Sequence, residues 1–175
     1  PSSFIVIPAT TSERRKYIPF GFFNNDFIPL NSVYIIPNGD LFIFGILTSL
    51  MHMSWVNYTC GRLESRFRYS KNIVYNNYPF PKDPSDKNRQ KVEKAAQKVL
   101  DVRAEFPESS LADLYDPLAM PPKLVKAHQA LDKAVDLCYR PQPFVSERNR
   151  IEFLFDLYEQ YTAPLMVVDK KKRKR

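Results

Sequence analysis

Glycine is scarce in this chain, with four among 175 residues. That removes glycine-rich phosphate cradles from consideration: neither GxGxxG nor GxxxxGK[ST] occurs. Cysteine and histidine are equally sparse. Cys60 and Cys138 lie far apart without a CxxC pair, and His52 and His128 are the only histidines, too few for the usual zinc ligand sets. The cysteines read as small buried hydrophobes in a reducing compartment, so a cytoplasmic location is expected. HExxH, GxSxG and an Asp/Asn-Pro-Pro-Tyr/Phe tetrapeptide are all missing. Paired carboxylates do occur, Asp113 with Asp116 and Glu105 with Glu108, but near expected helix ends, where capping accounts for them. No catalytic residues, metal site or cofactor site are therefore assigned. The chain also lacks a signal peptide and begins with Pro rather than Met, which suggests a piece of a longer polypeptide.

Apolar and basic residues are plentiful. Hydrophobic side chains make up 44% and aromatics 14%, enough for a packed core, and fifteen prolines set turns and strand ends. The net charge of +7 favours a polyanionic partner or an anionic membrane surface. Much of it sits in the six consecutive basic residues 170–175, and residues 166–175 are expected to form a disordered basic tail. Between Asp40 and Arg62 no residue is charged, a length that could cross a bilayer. Thr48, Ser49, His52, Ser54, Asn57 and Thr59 interrupt its second half, so the segment reads as one buried core helix and no membrane partner is expected.

The periodicity divides the chain near residue 83. Phe4–Ile7, Tyr17–Phe20 and Ser32–Ile36 read as short strands, followed by a helix from Leu41 to about Thr59 with Asp40 as its cap. After Gly61 the period becomes two: Arg62, Glu64, Arg66 and Arg68 alternate with Leu63, Ser65, Phe67 and Tyr69, as on a strand with one ionic face. Ile73–Tyr75 reads as extended, and Pro79 and Pro81 end the sheet region. Three amphipathic helices follow. Val92, Ala96, Val99 and Val102 stripe the first, Leu124, Ala127, Leu131, Ala134 and Cys138 the second, and Ile151, Leu154, Phe155 and Tyr158 the third. The expected fold is α+β: a small mixed sheet with one buried helix over residues 1–83, then a bundle-like helical segment over 84–165.

Residues Arg62 to Asn77 hold the vocabulary of major-groove readout. Arginine donates to guanine O6 and N7, glutamate accepts from cytosine N4, and asparagine pairs with adenine, which suits Arg66, Arg68, Glu64, Asn72, Asn76 and Asn77. Arg14, Arg15 and Lys16, together with Arg62 and Lys71, suit phosphate contacts. The competing reading is a solvated strand edge in which Glu64 and Arg66 pair with each other. The chain would then be a helical protein-interaction scaffold.

The strings His52-Met53-Ser54-Trp55, Cys60-Gly61-Arg62-Leu63-Glu64-Ser65-Arg66-Phe67-Arg68-Tyr69-Ser70 and Ile73-Val74-Tyr75-Asn76-Asn77-Tyr78-Pro79-Phe80-Pro81 resemble the target-recognition domain of MmeI-like type II restriction-modification methyltransferases. Tyr115–Pro122, Ala127–Asp132 and Glu152–Glu159 resemble the C-terminal part of that family, and the likeness runs from about Phe20 to Ala163. It implies an enzyme with a nuclease, an AdoMet-dependent adenine-N6 methyltransferase, and this segment choosing the sequence. AdoMet and a divalent metal would bind in those other domains. Duplex DNA and the parent chain's catalytic domains would be the partners. The resemblance implies base contacts from Asn31, Ser32, Glu64, Arg66 and Arg68. The loop around Ala9 to Glu13 has altered spacing, and no counterpart is assigned there.

Overall fold

The first apolar run forms strand β1 (Ser3–Pro8). After a bend at Ala9 the chain continues as β2 (Thr10–Thr11). The computed structural model describes the backbone of residues 3–24 and 26–172 and the side chains as far as residue 163. β1 is the centre of a three-stranded antiparallel sheet, flanked by β3 (Gly21–Asn24) and β4 (Val33–Pro37). Ile5 lies opposite Phe22 and Ile36, and Ile7 opposite Tyr34, so these five side chains share the face turned towards the helices. β2 pairs with β6 (Arg66–Arg68), which pairs with β5 (Gly61–Leu63), in a second antiparallel sheet. The single mixed sheet expected from sequence is thus two antiparallel ones, joined through one continuous N-terminal segment.

The buried segment after Asp40 is also two elements, not one. α1 (Leu41–Leu47) starts where the Asp40 carboxylate accepts from Ile43 N at 2.7 Å, and α2 (Leu50–Thr59) continues at an angle of 53°. Two hydroxyls turn back on the preceding helical turn at the break: Thr48 Oγ1 donates to Phe44 O at 2.5 Å and Ser49 Oγ to Ile46 O at 2.6 Å. No single helix among the described residues is long and apolar enough to cross a membrane, and the bent pair is largely buried in protein.

Ile73–Tyr75, expected to be extended, is instead part of a π-helical turn spanning Lys71–Tyr75. Ser70 caps it, Trp55 Nε1 donates to Val74 O at 3.0 Å, and Asn77 Nδ2 donates to the carbonyls of Asn72 and Ile73. Those anchors outweigh the β preference of Ile, Val and Tyr.

The helical half comprises α3 (Asp86–Ala104), the short α4 (Leu111–Leu114), α5 (Pro122–Tyr139) and α6 (Glu147–Lys172). α3 and α5 run antiparallel: Asn88 Nδ2 donates to Leu137 O at 2.9 Å near one end, and Lys123 meets Glu105 at 2.7 Å near the other. α1 lies against both at Gly45, where a Cβ would come within 2.6 Å of Val92 and 3.3 Å of Ala96 and Leu131. Only glycine permits that approach. One hydrophobic cluster runs from Ile5 in the first sheet through Phe44 and Trp55 to Leu131 and Leu154, so both halves share a core. α6 extends to Lys172, so the backbone of residues 166–172, expected to be disordered, is helical, while their side chains and residues 173–175 lie outside the described residues.

Candidate nucleic-acid interface

The residues from Arg62 to Arg68 form a tight hairpin rather than one strand. Leu63 pairs with Arg66, leaving Glu64 and Ser65 as a two-residue turn, and Glu64 has φ 57° at a position where glycine is favoured. Reversal of the chain changes which side chains share a face. Arg62 now stands opposite Phe67 and Gly61 opposite Arg68, so Arg66 and Arg68 share one face with Leu63, while Arg62 lies on the other. Its guanidinium covers the buried Phe67 ring at 4.0 Å and donates to Ser65 O at 3.2 Å. The ionic face drawn from sequence therefore loses Arg62. Phe67 and Tyr69 are buried, as an inward-facing set should be, and they fix the hairpin that carries the exposed Arg66 and Arg68. Glu64 and Arg66 form an exposed ion pair at 3.0 Å, with 78% and 49% of their side-chain surfaces exposed.

Asn31 and Ser32 are exposed at the end of the connection from β3 to β4. They are brought to the hairpin through Ala9, whose N–H donates to Ser32 O at 3.0 Å and whose carbonyl accepts from Tyr69 N at 2.9 Å. Ser32 and Tyr69 are thus hydrogen-bonded to the same residue. Nothing in the local sequence around Ala9 signalled this junction, because it depends on strand pairings distant along the chain.

The three basic residues after β2 are not equivalent. Arg14 and Lys16 are exposed. Arg15 turns inward, donating to Thr11 Oγ1 at 3.1 Å and to Ala112 O in α4 at 3.3 Å, which ties this loop to the helical half. Lys71 is exposed at the start of the π-helical turn, next to the exposed Asn72, whereas Asn77 is occupied by the turn's own carbonyls.

Both histidines are buried within the protein. His52 Nε2 lies 2.9 Å from Tyr69 Oη, and burial holds its pKa down to about 3. His128 stacks on Tyr17 at 4.1 Å with Nε2 at 2.6 Å from Tyr115 Oη, and burial lowers its pKa as well. Asp113 forms a capping box with Ser110, Asp116 accepts from Leu118 N, and Glu105 pairs with Lys123, as their positions near helix ends suggested. Among the described residues no group of three or more His, Cys, Asp or Glu is placed to hold a metal ion. Gly21, Gly39, Gly45 and Gly61 stand apart on different elements and build no phosphate cradle.

Comparison with known proteins agrees along almost the whole chain. Residues 1–82 match the family described as MmeI, target recognition domain, and residues 84–166 that described as MmeI, C-terminal domain. DNA methyltransferase A of Bacillus subtilis (strain 168) is 40% identical over 158 residues, covering 90% of this chain and 18% of that protein. A solved structure of the Type IIL restriction-modification enzyme MmeI in complex with DNA superposes with a TM-score of 0.87 at 45% identity, covering 93% of this chain and 22% of MmeI. The chain thus spans about a fifth of the length of the relatives it matches.

Proposed function

The chain belongs to the MmeI family, with that family's target recognition domain followed by its C-terminal domain, and on that premise we propose that it reads the base sequence of duplex DNA for a longer restriction-modification methyltransferase. The observation that carries the reading is the junction at Ala9, which sets Asn31 and Ser32 beside a hairpin displaying Glu64, Arg66 and Arg68. All five side chains are exposed, and their donors and acceptors suit base edges in the major groove. Arg14, Lys16 and Lys71 are free to meet phosphates, which position a protein on the duplex without reading it. Methyl transfer to adenine N6, with AdoMet, and any metal-dependent cleavage are assigned to other parts of the longer enzyme. The present chain supplies selection alone, and transfers no methyl group by itself.

An exchange experiment tests this. The segment is replaced, in the full-length protein, by the corresponding segment of the Bacillus subtilis relative, and methylated adenines are mapped in cells expressing each version. The recognised sequence is expected to follow the exchanged segment. A hybrid that modifies the original sequence at full activity would overturn the assignment.

A further inference from the structure

An antiparallel sheet covered on one side normally presents polar side chains on the other. The first sheet does not. Register places Phe4, Val6, Phe23, Val33 and Ile35 on the side away from α1, without a charged residue among them. Because β3 and β4 both run antiparallel to β1, they are parallel to each other, and the chain must pass from the end of β3 to the start of β4 along the sheet. α1 occupies the inner side, where Phe44 meets Phe22 at 5.6 Å, so the connection crosses the outer side. Phe27 packs on Phe23 at 4.7 Å there.

This strap covers apolar side chains with further apolar side chains. Phe27, Ile28 and Leu30 are 55%, 90% and 74% exposed, and Ile35 on the sheet is 49% exposed. The strap is held at both ends, by Phe27 N donating to Asn24 O and Val33 N donating to Leu30 O, and Pro29 fixes its middle. A surface held in this form while exposing four large apolar side chains marks an interaction site.

We propose that the outer face of this sheet, with its Phe27–Leu30 strap, docks against an apolar surface of the longer enzyme's own polypeptide. Protein–DNA interfaces are polar and strongly basic, whereas this face carries no cation, and the basic residues stand on the hairpin and the loops beside it. The relatives contain some four-fifths of their length outside the matched region, ample polypeptide to supply the covering surface. Docking would also set the reading loop. Asn31 and Ser32 follow Leu30 directly, so whatever holds the strap fixes where those two side chains meet the bases.

The inference rests on the chain working within a longer enzyme, and its test reads docking without reading DNA specificity. Ile28→Cys and Leu30→Cys are introduced singly into the full-length protein, and maleimide labelling at each site is followed by mass spectrometry. The reference is the same site in the urea-unfolded protein. Without DNA, labelling in the folded protein is expected to be about tenfold or more slower, the factor given by 1.4 kcal/mol of docking free energy. Fast labelling without DNA that slows when duplex is added would make DNA the occupant and overturn the proposal. Slow labelling only at high protein concentration would assign the face to a second copy, and fast labelling under every condition would leave it uncovered. Either result also overturns it. If labelling is slow but exchanging the segment leaves the recognised sequence unchanged, docking survives and the recognition reading fails.

Discussion

Glu64 holds a backbone conformation that costs a residue with a Cβ roughly 1 kcal/mol or more, at a turn where glycine would be unstrained. Its carboxylate gains little in return from Arg66, because an exposed pair of this kind contributes about 1 kcal/mol at most. The side chain is therefore better explained by the base contact proposed for it than by what it does for the fold. Glu64→Gly is expected to raise stability by about 1 kcal/mol in chemical denaturation while weakening discrimination at one base pair. Loss of stability in that variant would show that the strain is offset within the protein. Exchanging the signs, Glu64→Lys with Arg66→Asp, should reverse a C·G pair to G·C in the mapped sites, since donors and acceptors trade places across the groove. An unchanged recognition sequence at full activity would reduce the pair to a surface ion pair. The basic loop divides in the same way. Arg14→Ala should lower the slope of log affinity against log salt by about 0.9. Arg15→Ala should instead lower the unfolding midpoint, because its guanidinium bridges Thr11 and Ala112. If Arg15→Ala changed the salt slope and left the midpoint alone, that bridge would not form in solution.

Local patterns in the sequence were sound where an element depends on its own residues, and failed where a distant partner decides. Asp40 and Ser85 cap helices as such residues should, and the stripes of α3 and α5 are buried at Val92, Val99, Leu124 and Leu131. The hairpin looks like one strand in the sequence because Glu64-Ser65 carries none of the Asn-Gly or Asp-Gly chemistry that announces a two-residue turn. The break between α1 and α2 is hidden in the sequence for a different reason. Leu50 N, left free by the bend, donates to Asp132 Oδ1 at 2.7 Å, an acceptor contributed by α5 from 82 residues away. Of the candidate site, the residue types in the hairpin were legible, but their faces were not, since parity across a turn depends on register. Gly45 illustrates the same dependence on packing. In the isolated sequence it only weakens a helix, yet it is where α1 touches α3 and α5. Gly45→Val should cost about 1–3 kcal/mol through overpacking against Val92, measured by thermal unfolding. A neutral substitution would mean that the helices can separate without penalty.

Polar groups buried between the two halves make the whole molecule sensitive to pH in a direction opposite to that of its histidines. Arg103 of α3 donates to Phe20 O at 2.8 Å and to Tyr115 Oη, and Tyr17 donates to Asp132 Oδ2 at 2.7 Å. Asp132 also accepts from Leu50 N, and Asp136 and Arg150 stand near it. Burial raises its pKa from 3.8 to about 6, against the lowering effect of the two hydrogen bonds it accepts. The folded state thus favours the protonated acid. Below about pH 4 the group is protonated whether the chain is folded or not; as pH rises through 6, folding has to keep a buried charge, and stability falls. The full change is on the order of 3 kcal/mol. His52 acts in the reverse sense: burial lowers its pKa from 6.5 to about 3, so its contribution is present above 6.5 and is lost as pH falls towards 3. Comparison with Asp132→Asn separates the two, because the histidines are common to both proteins. The amide keeps an oxygen for Leu50 N and is never ionised. The midpoint of Asp132→Asn minus that of the native protein should therefore rise between pH 4 and pH 7, by about 6–12 °C for a domain of this size, and level off above that. A difference that stays constant over this range would mean that Asp132 ionises without cost, and that the junction between the halves is hydrated in solution.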